Sequence, residues 1–281
     1  MSHLVISKAC PIIENIIQYN RIFNFNSTDN EIIFNENKKK LGEEWYYYNK
    51  KIEYKYNSWG YRTKEFKDLE DDYILIFGCS FTEGIGLYYD DMWATKLSKE
   101  LKLDVFNIGM GGTGVDFQFY NTTLIHNHII KNNKPPKLVI YQWPFEHRTT
   151  YSFKKILRNS ENLTDRELIG LSPFSISNQS ENVHYFEKWY MHSFIENEGE
   201  LIKQSNIYPM VCNNIWKSMG IDVINWTWEN DFTMKKNELF SNDIELFNII
   251  DTTNYAARDR IHNGHLSQDI IVDFLLNKIN I

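Results

Sequence analysis

Cysteine, proline and glycine are all scarce in this chain, and each shortage removes a class of protein. The three cysteines, Cys10, Cys79 and Cys212, are odd in number, far apart and without metal-ligand spacing. They indicate neither a disulfide framework nor a metal site. With only 6 prolines and 13 glycines in 281 residues, a collagenous or low-complexity chain is excluded. No stretch approaches ~18 consecutive apolar residues, so no membrane span is expected. The opening MSHLVISKACPIIENIIQYN has no basic region ahead of a long apolar core and a small-residue cleavage site, which argues against a secretory leader. Positive charge is in deficit as well, with 30 Lys and Arg against 37 Asp and Glu and a net charge of −7. That balance argues against a nucleic-acid partner, and the KKK run at 38–40 reads as a solvated loop face. A cytoplasmic or virion-associated protein is the expectation.

What is present is an α/β grammar. Residues 1–70 precede it and read as a β-rich extension or cap. There Ile52, Tyr54 and Tyr56 alternate with Glu53 and Lys55, the period of a strand, here the second arm of a hairpin turning near 49–51. From residue 71 to 281 the pattern is one domain. YILIF (73–77) is a continuous apolar run, suited to a parallel strand covered on both faces. A helix follows over 93–102, a strand over 104–110, a helix over 116–131 closed by Pro135 and Pro136, and a strand over 137–143. An insertion spans 144–218, helical over 183–217, where Tyr185, Trp189, His192 and Phe194 read as a lid packed on the core. Strands over 221–228 and 245–251 and a closing helix over 266–279 complete the chain. Strands alternating with helices imply right-handed crossovers and a parallel sheet sandwiched by helices, with the site beyond the carboxyl ends of the strands.

Three separated pieces fall at those ends. GCSFTEG (78–84) places Ser80 at the mouth of the first strand, either as a helix N-cap or as a nucleophile. NIGMGGTG (107–114) lets backbone N–H groups approach a substrate without Cβ interference. ARDRIHNGHLS (257–267) sets Asp259 three residues before His262. In a turn, that carboxylate orients the imidazole while the other ring nitrogen faces Ser80. The His126/His128 pair splits between faces of a helix, so no metal role is assigned to it.

In this order the three pieces resemble the blocks of the SGNH/GDSL-type hydrolases over roughly residues 57–281. GCSFTEG is similar to G-D-S-x-T-x-G, NIGMGG to N-x-G-x-x-G, and ARDRIHNG to A-R-D-x-x-H-P-G. NSWGYR (57–62) resembles a segment that often precedes such a domain. The resemblance implies a three-layer α/β/α, flavodoxin-like parallel sheet, a Ser80–His262–Asp259 triad, an oxyanion hole from the Ser80 and Gly112 amides, and no cofactor. Two departures stand out. Cys79 replaces the usual Asp. The third block, ordinarily G-x-N-D, is here YQWPFEHR (141–148), without the Asn that donates to the oxyanion. Gln142 is the candidate replacement, with Arg148 as a source of charge near the substrate. His265 is either an exposed loop residue or a substrate contact.

The activity so implied is hydrolysis of a carboxylic ester through an acyl-enzyme on Ser80, the substrate being a small molecule or glycan carrying a short acyl group such as acetyl. His262 serves as base only when neutral, so activity is expected to fall below about pH 6. An acyltransferase on the same scaffold, and a catalytically silent binding or virion-associated protein, are the alternatives.

Overall fold

The computed structural model describes residues 4–6, 12–15, 18–145, 148–153, 166–171, 190, 196–227 and 256–279. The chain opens with strands β1 (Leu4–Ile6), β2 (Glu14–Asn15) and β3 (Ile22–Phe23), helix α1 (Glu31–Leu41) and strand β4 (Tyr54–Lys55). Helix α1 differs from expectation: the KKK run is its last turn rather than a loop. Asn30 caps its start by accepting from Ile33 N–H, and Gly42, at φ 71°, ends it. Lysines near a helix C-terminus meet the negative end of the helix dipole. None of its residues is buried, so no apolar periodicity announced it.

The expected hairpin around 49–51 is also replaced. Residues 52, 54 and 56 are buried and 53 and 55 exposed, as the alternation requires. The partner of β4, however, is β3, antiparallel, with Phe23 opposite Tyr54. Period-2 alternation reports which face is buried and says nothing of which strand lies alongside.

Strand β5 (Tyr73–Phe77) is buried at all five positions. It is followed by α2 (Ser80–Glu83), α3 (Trp93–Leu101), β6 (Asp104–Asn107), α4 (Val115–Asn132) and β7 (Leu138–Trp143). Asn133, left-handed at φ 48°, caps α4, and the proline pair beyond it bars continuation. The insertion contributes a hairpin, β8 (Thr149–Phe153) and β9 (Arg166–Leu171). Helices α5 (Glu198–Ile202) and α6 (Tyr208–Lys217) follow, joined by a π turn over Lys203–Ile207. Strand β10 (Asp222–Thr227) and helix α7 (His265–Leu276) end the described chain.

The central sheet runs β10-β7-β5-β6 with every pairing parallel. Its two faces are filled by alternate residues of the same strands. Leu75, Phe77, Val139 and Tyr141 pack with α4 and α6 through Ile125, Ile129, Cys212 and Trp216. Ile74, Ile76, Leu138 and Ile140 pack with α3 and α7 through Trp93, Leu97, Ile271 and Leu275. Each such buried side chain contributes about 1.5–3 kcal/mol relative to exposure. The chain steps from β5 to β6 on one side, then returns to β7 on the other, so a crevice opens beyond the carboxyl ends of β5 and β7. Ser80 stands there.

A second sheet, order β2-β1-β9-β8, ties the start of the chain to the insertion, with Leu4 paired to Leu168. No helix among the described residues is long and apolar enough to cross a membrane. The expected strand at 245–251, the lid residues Tyr185, Trp189, His192 and Phe194, and Cys10 lie outside the described residues.

Candidate active site

The turn after β5 is shaped by close approach. A Cβ on Gly78 would stand 2.1 Å from Thr82 Oγ1, and one on Gly109 2.7 Å from Thr82 Cγ2, so both positions accept only glycine as the backbone stands. Cys79 is the extended residue before α2, and its side chain turns into the core. Ser80 opens α2, a single turn closed by Gly84 in the left-handed conformation at φ 76°. So short a helix has little dipole, and what it offers a developing anion is the serine's own amide.

His262 approaches Ser80 from the turn preceding α7. Its Nε2 lies 2.8 Å from Ser80 Oγ, and its Nδ1 lies 2.6 Å from Asp259 Oδ2. The turn that presents both is closed by Ala257 N–H donating to His262 O at 2.8 Å, and Arg260 takes a left-handed backbone at φ 61°. A non-glycine residue there costs roughly 1 kcal/mol or more. Phe81 covers the imidazole edge-on, centroids 4.8 Å apart.

Asp259 is saturated with donors. Oδ1 accepts from the backbone N–H of Ile261 and of His262, each at 3.1 Å. Oδ2 accepts from His262 and from Thr28 Oγ1 at 2.6 Å. Burial on its own would raise this carboxyl's pKa, but the bond and charge of His262 and the bonds from Thr28 and Ile261 outweigh it, and the group lies below its ordinary value. With Nδ1–H directed at the carboxylate, Nε2 is the basic nitrogen facing the hydroxyl.

The glycine-rich turn after β6 packs on the same helix. Asn107 Nδ2 donates to Thr82 O at 2.7 Å, and Asn107 Oδ1 accepts from Gly109 N–H at 2.9 Å. Gly111 donates to Glu83 Oε2 at 2.6 Å. Gly112 has φ 76° and nothing within 4 Å of where a Cβ would stand.

Two sequence expectations end elsewhere. Gln142 is fully buried behind the turn that carries Ser80. Its Oε1 accepts from Cys79 N–H at 3.2 Å and Thr82 Oγ1 at 3.0 Å, and its Nε2 donates to Trp143 O at 3.0 Å. The backbone donor fixes which end of the amide is oxygen, so Gln142 braces the turn and does not present an NH₂ to substrate. His265 is stacked on Tyr46, centroids 3.7 Å apart, with Tyr47 against its edge. It joins α7 to the N-terminal segment instead of facing a substrate. Arg148 lies over the Phe145 ring, 4.7 Å from its centroid, beyond the end of β7. His126 packs near Trp216 while His128 packs near Phe66 and Trp59, so the pair does divide between faces. Among the described residues no group of three His, Cys, Asp or Glu side chains could hold a metal ion.

Several contributors carried no individual signal. Arg62 of NSWGYR is buried and donates to Gly84 O at 2.6 Å and Leu87 O at 2.8 Å, holding the loop after α2. Asp29 grips Arg258 in a two-pronged buried ion pair, at 2.7 and 2.6 Å. Thr28, next to it, reaches the candidate triad directly. These residues lie far from their partners in sequence, where spacing gives no clue. Compared with protein-family models and with curated proteins, the chain matches none.

Proposed function

We propose that the protein is a serine ester hydrolase of the SGNH/GDSL type, its parallel sheet being the core of a flavodoxin-like three-layer fold. The observation that carries this reading is the unbroken hydrogen-bond chain Ser80–His262–Asp259, at 2.8 and 2.6 Å. In the reaction, Ser80 Oγ attacks the ester carbonyl as its proton passes to His262 Nε2. The tetrahedral oxyanion is held by the Ser80 and Gly112 amides and collapses to an acyl-serine. The alkoxide leaves with the proton that His262 returns. Water, deprotonated by the same nitrogen, then releases the carboxylic acid and restores the serine. Asp259, held ionised, stabilises the imidazolium that forms twice in this cycle.

The displaced Gln142 bears on rate. A two-donor oxyanion hole lacks a contribution worth ~3 kcal/mol, about a hundredfold in turnover. A slow esterase is therefore the specific form of the proposal, acting on a short acyl group such as an acetyl ester on a glycan, because the sequence holds no long apolar run to line a lipid tunnel.

A fluorophosphonate probe tests the nucleophile. Wild-type protein is expected to label stoichiometrically and Ser80→Ala not at all, with hydrolysis of p-nitrophenyl esters falling as the acyl chain lengthens beyond a few carbons. Undiminished ester turnover by folded Ser80→Ala would reject the mechanism.

A further inference from the structure

Glu83 has no part in the reaction written above, yet it is only 3 % exposed and sits one helical turn after Ser80. Three donors converge on its carboxylate. Oε2 accepts from Gly111 N–H at 2.6 Å, and Oε1 accepts from Tyr56 OH at 2.7 Å and from Asn26 Nδ2 at 3.1 Å. Burial holds its pKa above the ordinary carboxylate value, against the pull of the Tyr56 and Gly111 bonds and the charges of Arg62 and His262. A carboxylate is costly to desolvate, and an apolar side chain would fill the space without that cost. What the carboxylate adds is a grip on the glycine-rich turn where that turn touches the nucleophile. A Cβ on Gly111 would stand 3.0 Å from Glu83 Oε2 and 3.4 Å from Ser80 Cβ.

We propose that Glu83 is a positioning residue: it clamps Gly111 against Ser80, fixes where the adjoining Gly112 amide stands, and is itself set by Asn26 and Tyr56 of the N-terminal segment. The role rests on the hydrolase reading, because it acts through the oxyanion donors. A donor works in the transition state only if it is already in place, and displacement by a fraction of an ångström weakens it. The geometry calls for a carboxylate in particular. Glutamine has one acceptor oxygen, so its NH₂ would confront at least one of the three donors.

The experiment compares wild type, Glu83→Gln and Tyr56→Phe for p-nitrophenyl acetate hydrolysis, fluorophosphonate labelling and amide hydrogen exchange over residues 109–112. Glu83→Gln is expected to lower kcat about tenfold or more with KM changed less than about twofold, to slow labelling in parallel, and to speed exchange in that turn. Tyr56→Phe keeps the carboxylate, removes one donor, and should lower kcat a few-fold in the same pattern. A merely structural Glu83 would lose melting temperature and keep its kcat. If Glu83→Gln does not fold, Tyr56→Phe decides, and an unchanged kcat there overturns the role. Active wild type with both variants at wild-type kcat removes this inference alone. Wild type inert to ester and probe alike removes it together with the hydrolase reading.

Discussion

Thr28 donates to the same Asp259 oxygen that receives His262 Nδ1, at 2.6 Å. Hydrogen bonds to a charged group are worth about 1.5–3 kcal/mol when buried. Thr28→Val keeps the volume and loses the donor, so it is expected to destabilise the fold by about 1–2 kcal/mol in urea denaturation and to lower kcat a few-fold, with KM unchanged. A variant identical to wild type in both would show that the remaining three donors suffice. At this scale the sequence was informative where chemistry is local. Asp259 and His262 are held by one turn, and both lie where a D-x-x-H spacing puts them. Gln142 and His265 were misread because adjacency to a strand end or to a motif does not say which way a side chain faces. Strand alternation sends Gln142 to the opposite face from Tyr141 and Trp143, under the turn that carries Ser80. His265 is claimed by Tyr46, an aromatic 219 positions away in the chain, which no local pattern reveals.

That stacked pair also has a consequence for α7 as an element. Burial first, then Lys96 and Lys50, holds His265 below its ordinary value of 6.5, while Asp91 and Asp269 oppose the shift. A base so held binds fewer protons folded than unfolded. Its contribution to stability is complete above about pH 6.5 and is lost as pH falls through the lower folded value. The melting temperature of wild type should therefore drop more steeply between pH 7 and 5 than that of His265→Gln, and parallel curves would refute the assignment. Elements were legible wherever burial is two-sided or amphipathic: YILIF and LVIYQW announced their strands, α3 and α4 fall within a residue of the spans expected, and α7 starts one residue early and ends three residues short of its span. Elements without such a signature were not. Helix α1 has no fully buried residue, and the two- and three-residue strands β1, β2 and β3 are too short for any period to register.

Taken as a whole, the molecule joins its first segment to the turn that carries Asp259 and His262. Asp29 pairs with Arg258 across the core, with side chains 0 % and 2 % exposed, and Tyr54 adds a bond from its hydroxyl to the same carboxylate. Removing one partner of a buried ion pair leaves the other charge uncompensated, at about 3–5 kcal/mol. Asp29→Ala is expected to lose that much stability in chemical denaturation and to loosen the 257–263 turn, with a fall in turnover even though no reacting group is altered. A loss under about 1 kcal/mol would mean that Arg258 finds another partner. The architecture of the sheet could be read from the sequence because it follows from alternation of strands and helices. This link could not, since it joins residues 229 positions apart.

The distance between Ser80 and His262, 182 positions along the chain, has a consequence in time. At about 5–20 residues per second, a ribosome makes the histidine roughly ten to forty seconds after the serine. Through that interval the hydroxyl is an ordinary alcohol with nothing to take its proton. On the proposed reaction, the hydroxyl would gain its base only when the turn carrying His262 docks, so a nascent chain still lacking that turn would have no activated serine.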